Sequence, residues 1–203
     1  MLKARWLVVA VPAWMVVAYA GAILFVPSIG PPFIRDRLAD MPAALLGHIA
    51  GGGVALFAGA LQMNAGLRTR FLQLHRWLGR LYAVAVLAGG LGGLALATRS
   101  QGGLVTHVGF GLLAILWLTT TCAAYWHIRH GDQANHRRWM LRSYALAFAA
   151  VMLRIYLPIA LVAGIPFIAA YQAIAWACWV PNLLVVEWWL LRPVRAKPAY
   201  VAV

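Results

Sequence analysis

Acidic residues are almost missing from this chain: 4 Asp and Glu stand against 17 Lys and Arg in 203 residues. Charged residues of both signs reach only 10%, where a soluble domain carries about 25%. With 64% hydrophobic residues and a mean hydropathy of +0.81, this shortage excludes a soluble globular protein. The apolar runs are long enough for helices that cross a bilayer, so the chain reads as an all-α integral membrane protein. A net charge of +13 on a soluble protein would suggest nucleic acid. Here the basic residues cluster at the ends of apolar runs and serve topology, so no nucleic-acid partner is expected.

Other absences narrow the chemistry. Cys122 and Cys178 are the two cysteines, each inside an apolar run and without metal or redox spacing. Carboxylates and thiolates do not cluster, which weighs against a zinc or copper site. No nucleotide-binding motif is visible, so the chain is not expected to use NAD or flavin itself. One Glu and one Arg inside the spans, Glu187 and Arg154, leave little for ion-coupled transport.

Six spans are expected within one membrane domain of residues 1–203, at about 6–26, 42–62, 77–98, 104–126, 139–163 and 168–191. The run from Trp6 to Phe25 is too long for the core of a signal peptide and is kept as span one. One set of span ends holds Lys3, Arg5, Arg68, Arg70, Arg76, Arg80, Arg129, Arg137, Arg138, Arg142, Arg192, Arg195 and Lys197; the other holds Arg35, Arg37 and Arg99. The positive-inside rule then places both termini in the cytoplasm. In the outer loop of residues 27–41, the pair Pro31-Pro32 disfavours a regular helix. Trp6, Trp77, Trp126, Trp139, Trp188 and Trp189 fall near span ends, as in an aromatic belt. Gly51 to Gly53, and Gly89, Gly90, Gly92 and Gly93, give spans two and three smooth faces. Such faces suit close helix packing and equally leave room for a flat macrocycle.

Spans two and three resemble spans four and five. His48-Ile-Ala-Gly-Gly-Gly-Val-Ala aligns with His107-Val-Gly-Phe-Gly-Leu-Leu-Ala, and His75, Trp77, Arg80 and Tyr82 align with His136, Trp139, Arg142 and Tyr144. Each half crosses the membrane twice, so the repeat is parallel, with its pseudo-twofold axis along the membrane normal. Spans two to five then form a central four-helix bundle, which brings His48 opposite His107 and His75 opposite His136.

An imidazole inside a bundle needs partners for its nitrogens and marks a candidate site. Bis-imidazole ligation of haem iron supplies them and suits one-electron transfer. His75 and His136 fall just before spans three and five, and the two pairs lie on the order of 20 Å apart by helix rise. An interfacial histidine beside arginine also serves as a snorkelling or capping group. That suits His127 and His130, which are left out of the site, and stays open for the other four. Arg154 falls near the depth of His48 and His107. Its expected partner is a haem propionate or a watery cleft, while Glu187 is expected to pair with Arg80 or Arg142.

The segments His75-Arg-Trp-Leu-Gly-Arg-Leu-Tyr, His136-Arg-Arg-Trp-Met-Leu-Arg-Ser-Tyr, Leu153-Arg-Ile-Tyr-Leu-Pro and Trp179-Val-Pro-Asn-Leu-Leu-Val-Val-Glu-Trp resemble a family of predicted bacterial membrane proteins, domain of unknown function 2306. More distantly, the chain resembles the di-haem transmembrane cytochromes b that carry electrons from ascorbate. That resemblance implies one histidine on each of spans two to five, with one haem shared by spans two and four and another by spans three and five. His48, His107, His75 and His136 match that plan, and it implies up to two haems b. The expected function is a transmembrane b-type electron carrier served by a quinol or small reductant and a partner redox protein. The alternative is a non-enzymatic membrane subunit or assembly protein that contacts lipid or a partner and whose histidines are structural or metal-binding.

Overall fold

The computed structural model describes residues 2–30 and 32–192. Pro31, and Arg195 and Lys197 of the basic ends, lie outside the described residues. Among the described residues ten α-helices follow in order: α1 (Leu2–Phe25), α2 (Pro32–Asp40), α3 (Pro42–Gln62), α4 (Ala65–Arg70), α5 (Leu72–Ala97), α6 (Leu104–Arg129), α7 (Gln133–Ala147), α8 (Ala149–Val162), α9 (Phe167–Ala177) and α10 (Val180–Leu191). The same residues hold no strand.

Six stretches are long and apolar enough to span a bilayer: Trp6–Phe25, Pro42–Gln62, Leu72–Ala97, Leu104–Arg129, Gln133–Val162 and Phe167–Leu191. Large apolar side chains stand on their outer faces, among them Val8 at 73% exposure, Val84 at 66% and Leu184 at 62%. Water would penalise such surfaces by roughly 25 cal/mol per Å², whereas hydrocarbon accepts them. The protein is a multi-pass membrane protein.

The central contacts run α3 to α5, α5 to α6, α6 to α7 and α7 to α3. Helix α3 therefore faces α6 across one diagonal of the bundle, and α5 faces α7 across the other. Exchanging α3 with α6 and α5 with α7 maps this pattern onto itself, as a parallel two-span repeat requires. The repeat extends to side chains: Arg80 lies 4.8 Å from the Trp77 ring centroid, and Arg142 lies 4.6 Å from that of Trp139. Helix α1 packs on α3, and α9 and α10 pack on α6 and α7.

Glycine sets the α3–α5 approach. A Cβ on Gly51 would lie 2.5 Å from the Ala85 carbonyl oxygen, and one on Gly92 would strike the Ala44 carbonyl. Close packing thus accounts for these two positions. Gly52 instead meets nothing within 4 Å and lines open space.

Three expectations change. The proline-containing outer loop carries a helix after all, because Pro32 stands at the first position of α2, where its fixed φ fits and no amide hydrogen is needed. Helices α5 and α7 begin at Leu72 and Gln133, ahead of the expected spans, so His75 and His136 lie within their first turns. The His-Arg turns are polar, which hid them from hydropathy, yet Asp132 accepts from the Asn135 backbone N–H at 3.0 Å and starts α7. Spans five and six are each jointed, at Phe148 and at Cys178–Trp179. Pro181, in the first turn of α10, lacks the amide hydrogen that would continue the preceding turn.

Candidate functional site

A cavity of about 300 Å³ opens inside the half of the bundle nearest the start of α3, a size suited to small molecules and cofactors. His48 on α3 lines it, with its ring against Gly93 of α5. Its Nδ1 lies 2.9 Å from the Gly89 carbonyl oxygen. A carbonyl only accepts, so Nδ1 carries the hydrogen and Nε2 keeps a lone pair. This is the arrangement in which a histidine serves as a metal ligand.

Arg154 on α8 lines the same cavity. It donates from Nη1 to the Ala150 carbonyl at 2.9 Å, and its guanidinium lies 5.5 Å from the Tyr19 ring centroid. Its Nε is buried without a partner. Among the described residues no carboxylate forms an ion pair with it: Asp40 pairs with Arg37, Asp132 with His127 and Glu187 with Arg142. At the mouth, Arg37 donates to the Arg99 carbonyl at 2.7 Å, and both residues line the cavity.

His107 is placed differently. Its Nε2 lies 3.0 Å from the Ser100 carbonyl oxygen, and it is not among the residues that line the cavity. The α6 wall facing the space consists of Phe110, Leu113, Ala114 and Trp117. His48 and His107 therefore do not meet across the cavity.

At the opposite end, His75 and His136 sit in the first turns of the diagonal helices α5 and α7. The His136 Nδ1 donates to the Ala124 carbonyl at 2.8 Å, which again frees Nε2. The His75 Nδ1 is buried with no partner, while Gln62 donates to the His75 carbonyl at 2.7 Å.

Between the two ends lies a set of hydroxyls that the sequence did not single out. Tyr82 and Ser143 are 2.7 Å apart, Ser143 and Thr121 are 2.6 Å apart, and Thr121 donates to the Trp117 carbonyl at 2.8 Å. Tyr82 and Ser143 are both 0% exposed. Each stands about two helical turns beyond its histidine, on the same helix face. The repeat pointed to Tyr82 and Tyr144, but nothing in the sequence marked Ser143 or Thr121. The expected partner of Glu187 resolves to Arg142, which engages both carboxylate oxygens, with Nη2 to Oε2 at 2.8 Å.

These residues can be tested against haem, the group that the sequence pattern implies. In the cavity, the free Nε2 of His48, the Arg154 cation without a counter-charge and the bare Gly52 wall fit a flat anionic macrocycle. At the other end, the orphaned His75 Nδ1 and the free His136 Nε2 fit a pair of axial ligands. Among the described residues no group of three or more His, Cys, Asp or Glu is placed to hold a metal ion directly.

The family model described as predicted membrane protein (DUF2306) matches residues 45–190. That stretch holds all four histidines and Arg154. No curated protein and no solved structure matches the chain.

Proposed function

Because the chain belongs to the DUF2306 family of predicted membrane proteins, whose description names a location and no chemistry, we propose its function from the site itself. It is a b-type cytochrome of a bacterial inner membrane that moves single electrons across the bilayer. The observation that carries this reading is one cavity holding a histidine with a free ring nitrogen and an arginine with no counter-charge. A ligand that is at once a Lewis acid, apolar and anionic satisfies both residues, and haem b is such a ligand. When bound, haem supplies reversible one-electron chemistry at its iron.

The chain's own residues divide the work. The Gly89 carbonyl fixes the His48 tautomer and leaves Nε2 as the free nitrogen of a residue that lines the cavity. Arg154 would offer its charge to a propionate, in a lining that also holds Arg37 and Arg99 and no carboxylate. The flanking hydrocarbon excludes water, which strengthens that attraction. His75 and His136 hold the second centre, with the Ala124 carbonyl fixing the His136 ring. The arginine-rich face is cytoplasmic by the positive-inside rule. The donor is a quinol or a small reductant, and the acceptor is a metal ion or a partner redox protein.

A non-enzymatic membrane subunit is the second reading. One observation favours it: His107, half of the expected outer pair, does not line the cavity that His48 lines.

A pyridine-haemochrome assay with reduced-minus-oxidised spectra, on protein purified in mild detergent from haem-replete cells, decides between them. Haem b is expected in the wild type, with part of it lost in His48→Ala and a different part in His136→Ala. Colourless wild-type protein would remove the cytochrome reading and leave the subunit reading.

A further inference from the structure

Resting on the reading that His48 holds haem, we infer that this centre has a single axial imidazole, and that its free face binds a small neutral diatomic ligand. His48 is the one histidine among the cavity-lining residues. The α6 wall on the other side of the bundle diagonal presents Phe110, Leu113, Ala114 and Trp117, hydrocarbon and an indole, none of which ligates iron.

His107 is held away from the cavity by the turn that it serves. Thr106, fully buried, donates its one hydroxyl hydrogen to the Gln101 carbonyl at 2.7 Å with the Gly103 carbonyl also in reach at 2.9 Å, and accepts from Ser100 Oγ at 3.0 Å. These bonds fix the Ser100 carbonyl that accepts from His107 Nε2. Swinging the ring inward would break that bond.

The other candidate ligands fall away on the same grounds. Cys178 borders the cavity but is 0% exposed, so its thiol does not open onto the space. The Tyr171 ring packs between Phe110 at 5.3 Å and Phe167 at 5.2 Å.

A filled sixth position suits pure electron transfer, whereas an open one with an apolar wall admits a ligand. The wall selects for small size and no charge, because an ion would face hydrocarbon on that side. The two ends of the bundle then play different roles. The His75/His136 end only relays electrons, and the His48 end relays them and also binds a diatomic molecule.

Carbon monoxide is the probe. Dithionite-reduced protein is titrated with CO while the Soret band is followed, and haem content is assayed on the same sample. A CO-dependent Soret shift is expected in a fraction of the haem. His48→Ala removes that fraction, and His107→Ala leaves both haem content and CO response unchanged. If His48→Ala does not fold, electron paramagnetic resonance of the ferric wild type decides: a high-spin component supports the single imidazole, and low-spin haem alone overturns it. A haem-containing wild type that ignores CO also overturns the inference, as does a His107→Ala variant that loses haem or gains CO binding. A wild type without haem overturns the reading beneath it as well, and the haem assay separates that failure from the others.

Discussion

The two ends of the bundle share one repeat and are built in opposite ways. Around His48 the helices are joined by backbone proximity: Gly51 lets α3 close on Ala85, and Gly92 lets α5 close on Ala44. Little side-chain volume is spent there, and a cavity remains. Toward His75 and His136 the helices are joined by polar pairs: Tyr82–Ser143–Thr121, Gln62 to the His75 carbonyl, and Arg142–Glu187. The difference teaches where a ligand can be admitted without loosening the fold. Glycine contacts hold two helices together along a line and leave the neighbouring face bare. Hydrogen-bonded side chains fill the space that they stabilise.

The sharpest way to break this comparison is at two adjacent glycines. Gly51→Ala places a methyl group against the backbone of Ala85 and Gly89, which cannot move aside as a side chain would. A loss of about 3 kcal/mol is expected, at the upper end for overpacking, read by unfolding in mild detergent. Gly52→Ala should leave stability nearly unchanged, since nothing lies within 4 Å of its Cβ. Gly52→Leu should keep the fold and lose the ligand of the cavity. Equal destabilisation by Gly51→Ala and Gly52→Ala would mean that the α3–α5 approach is not what joins this half.

The polar half yields smaller effects. Tyr82→Phe removes one hydroxyl from the buried set and leaves Ser143 with an unused acceptor. A cost of about 1 kcal/mol is expected, in line with interhelical hydrogen bonds in membranes. Ser143→Ala should cost more than Tyr82→Phe, because Ser143 touches both neighbours. The reverse order in thermal shifts would show that the chain is not centred on Ser143. Glu187→Gln keeps the shape and removes the charge opposite Arg142. The pair is partly exposed, at 21% and 35%, so no more than about 1 kcal/mol is expected, and less in high salt.

How much of this was legible in the sequence follows from what hydropathy and repeats can carry. Six spans were readable because length and apolarity alone decide whether a helix crosses a bilayer. The bundle was readable because Trp, Arg and Tyr recur at one offset of 62 residues, with His75 and His136 one residue short of it at 61, and the paired Arg80–Trp77 and Arg142–Trp139 stacks now express that repeat. The joints at Phe148 and Cys178 were not, since jointed and straight spans share one hydropathy profile. The orientation of His107 was equally hidden. It depends on the turn before α6, where Gly102 and Gly103 take φ of 97° and 71°, values that favour glycine and set where the Ser100 carbonyl lies. The Tyr82–Ser143–Thr121 set joins three helices, and its formation depends on the rotation of each helix about its axis, which no single run of sequence states.

The smallest expected effect concerns pH, and it sharpens the comparison by separating the ends. Asp132 lies in the turn between α6 and α7, accepts from the Asn135 backbone N–H and side-chain amide at 3.0 and 2.7 Å, and sits 3.1 Å from His127. The Asn135 backbone bond foremost, then its side chain and His127, hold the Asp132 carboxyl below the usual carboxylate range. A carboxyl with a lowered folded pKa adds stability that is fully present above its unfolded value, about 4. That stability is lost as the pH falls through the lower folded value. The first turn of α7 starts from this cap, and the His136 amide donates to the Asp132 carbonyl at 3.1 Å. Acidification below the carboxylate range should therefore lower the protection of the Asn135 and His136 amides, taken relative to the intrinsic exchange rate at each pH, and Asp132→Asn should flatten that dependence. The cavity has no carboxylate in its lining, so amides around His48 should keep their protection over the same range. Parallel loss of protection at both ends would show that the two halves of the repeat open as one unit, and that the cavity is not independent of the polar half.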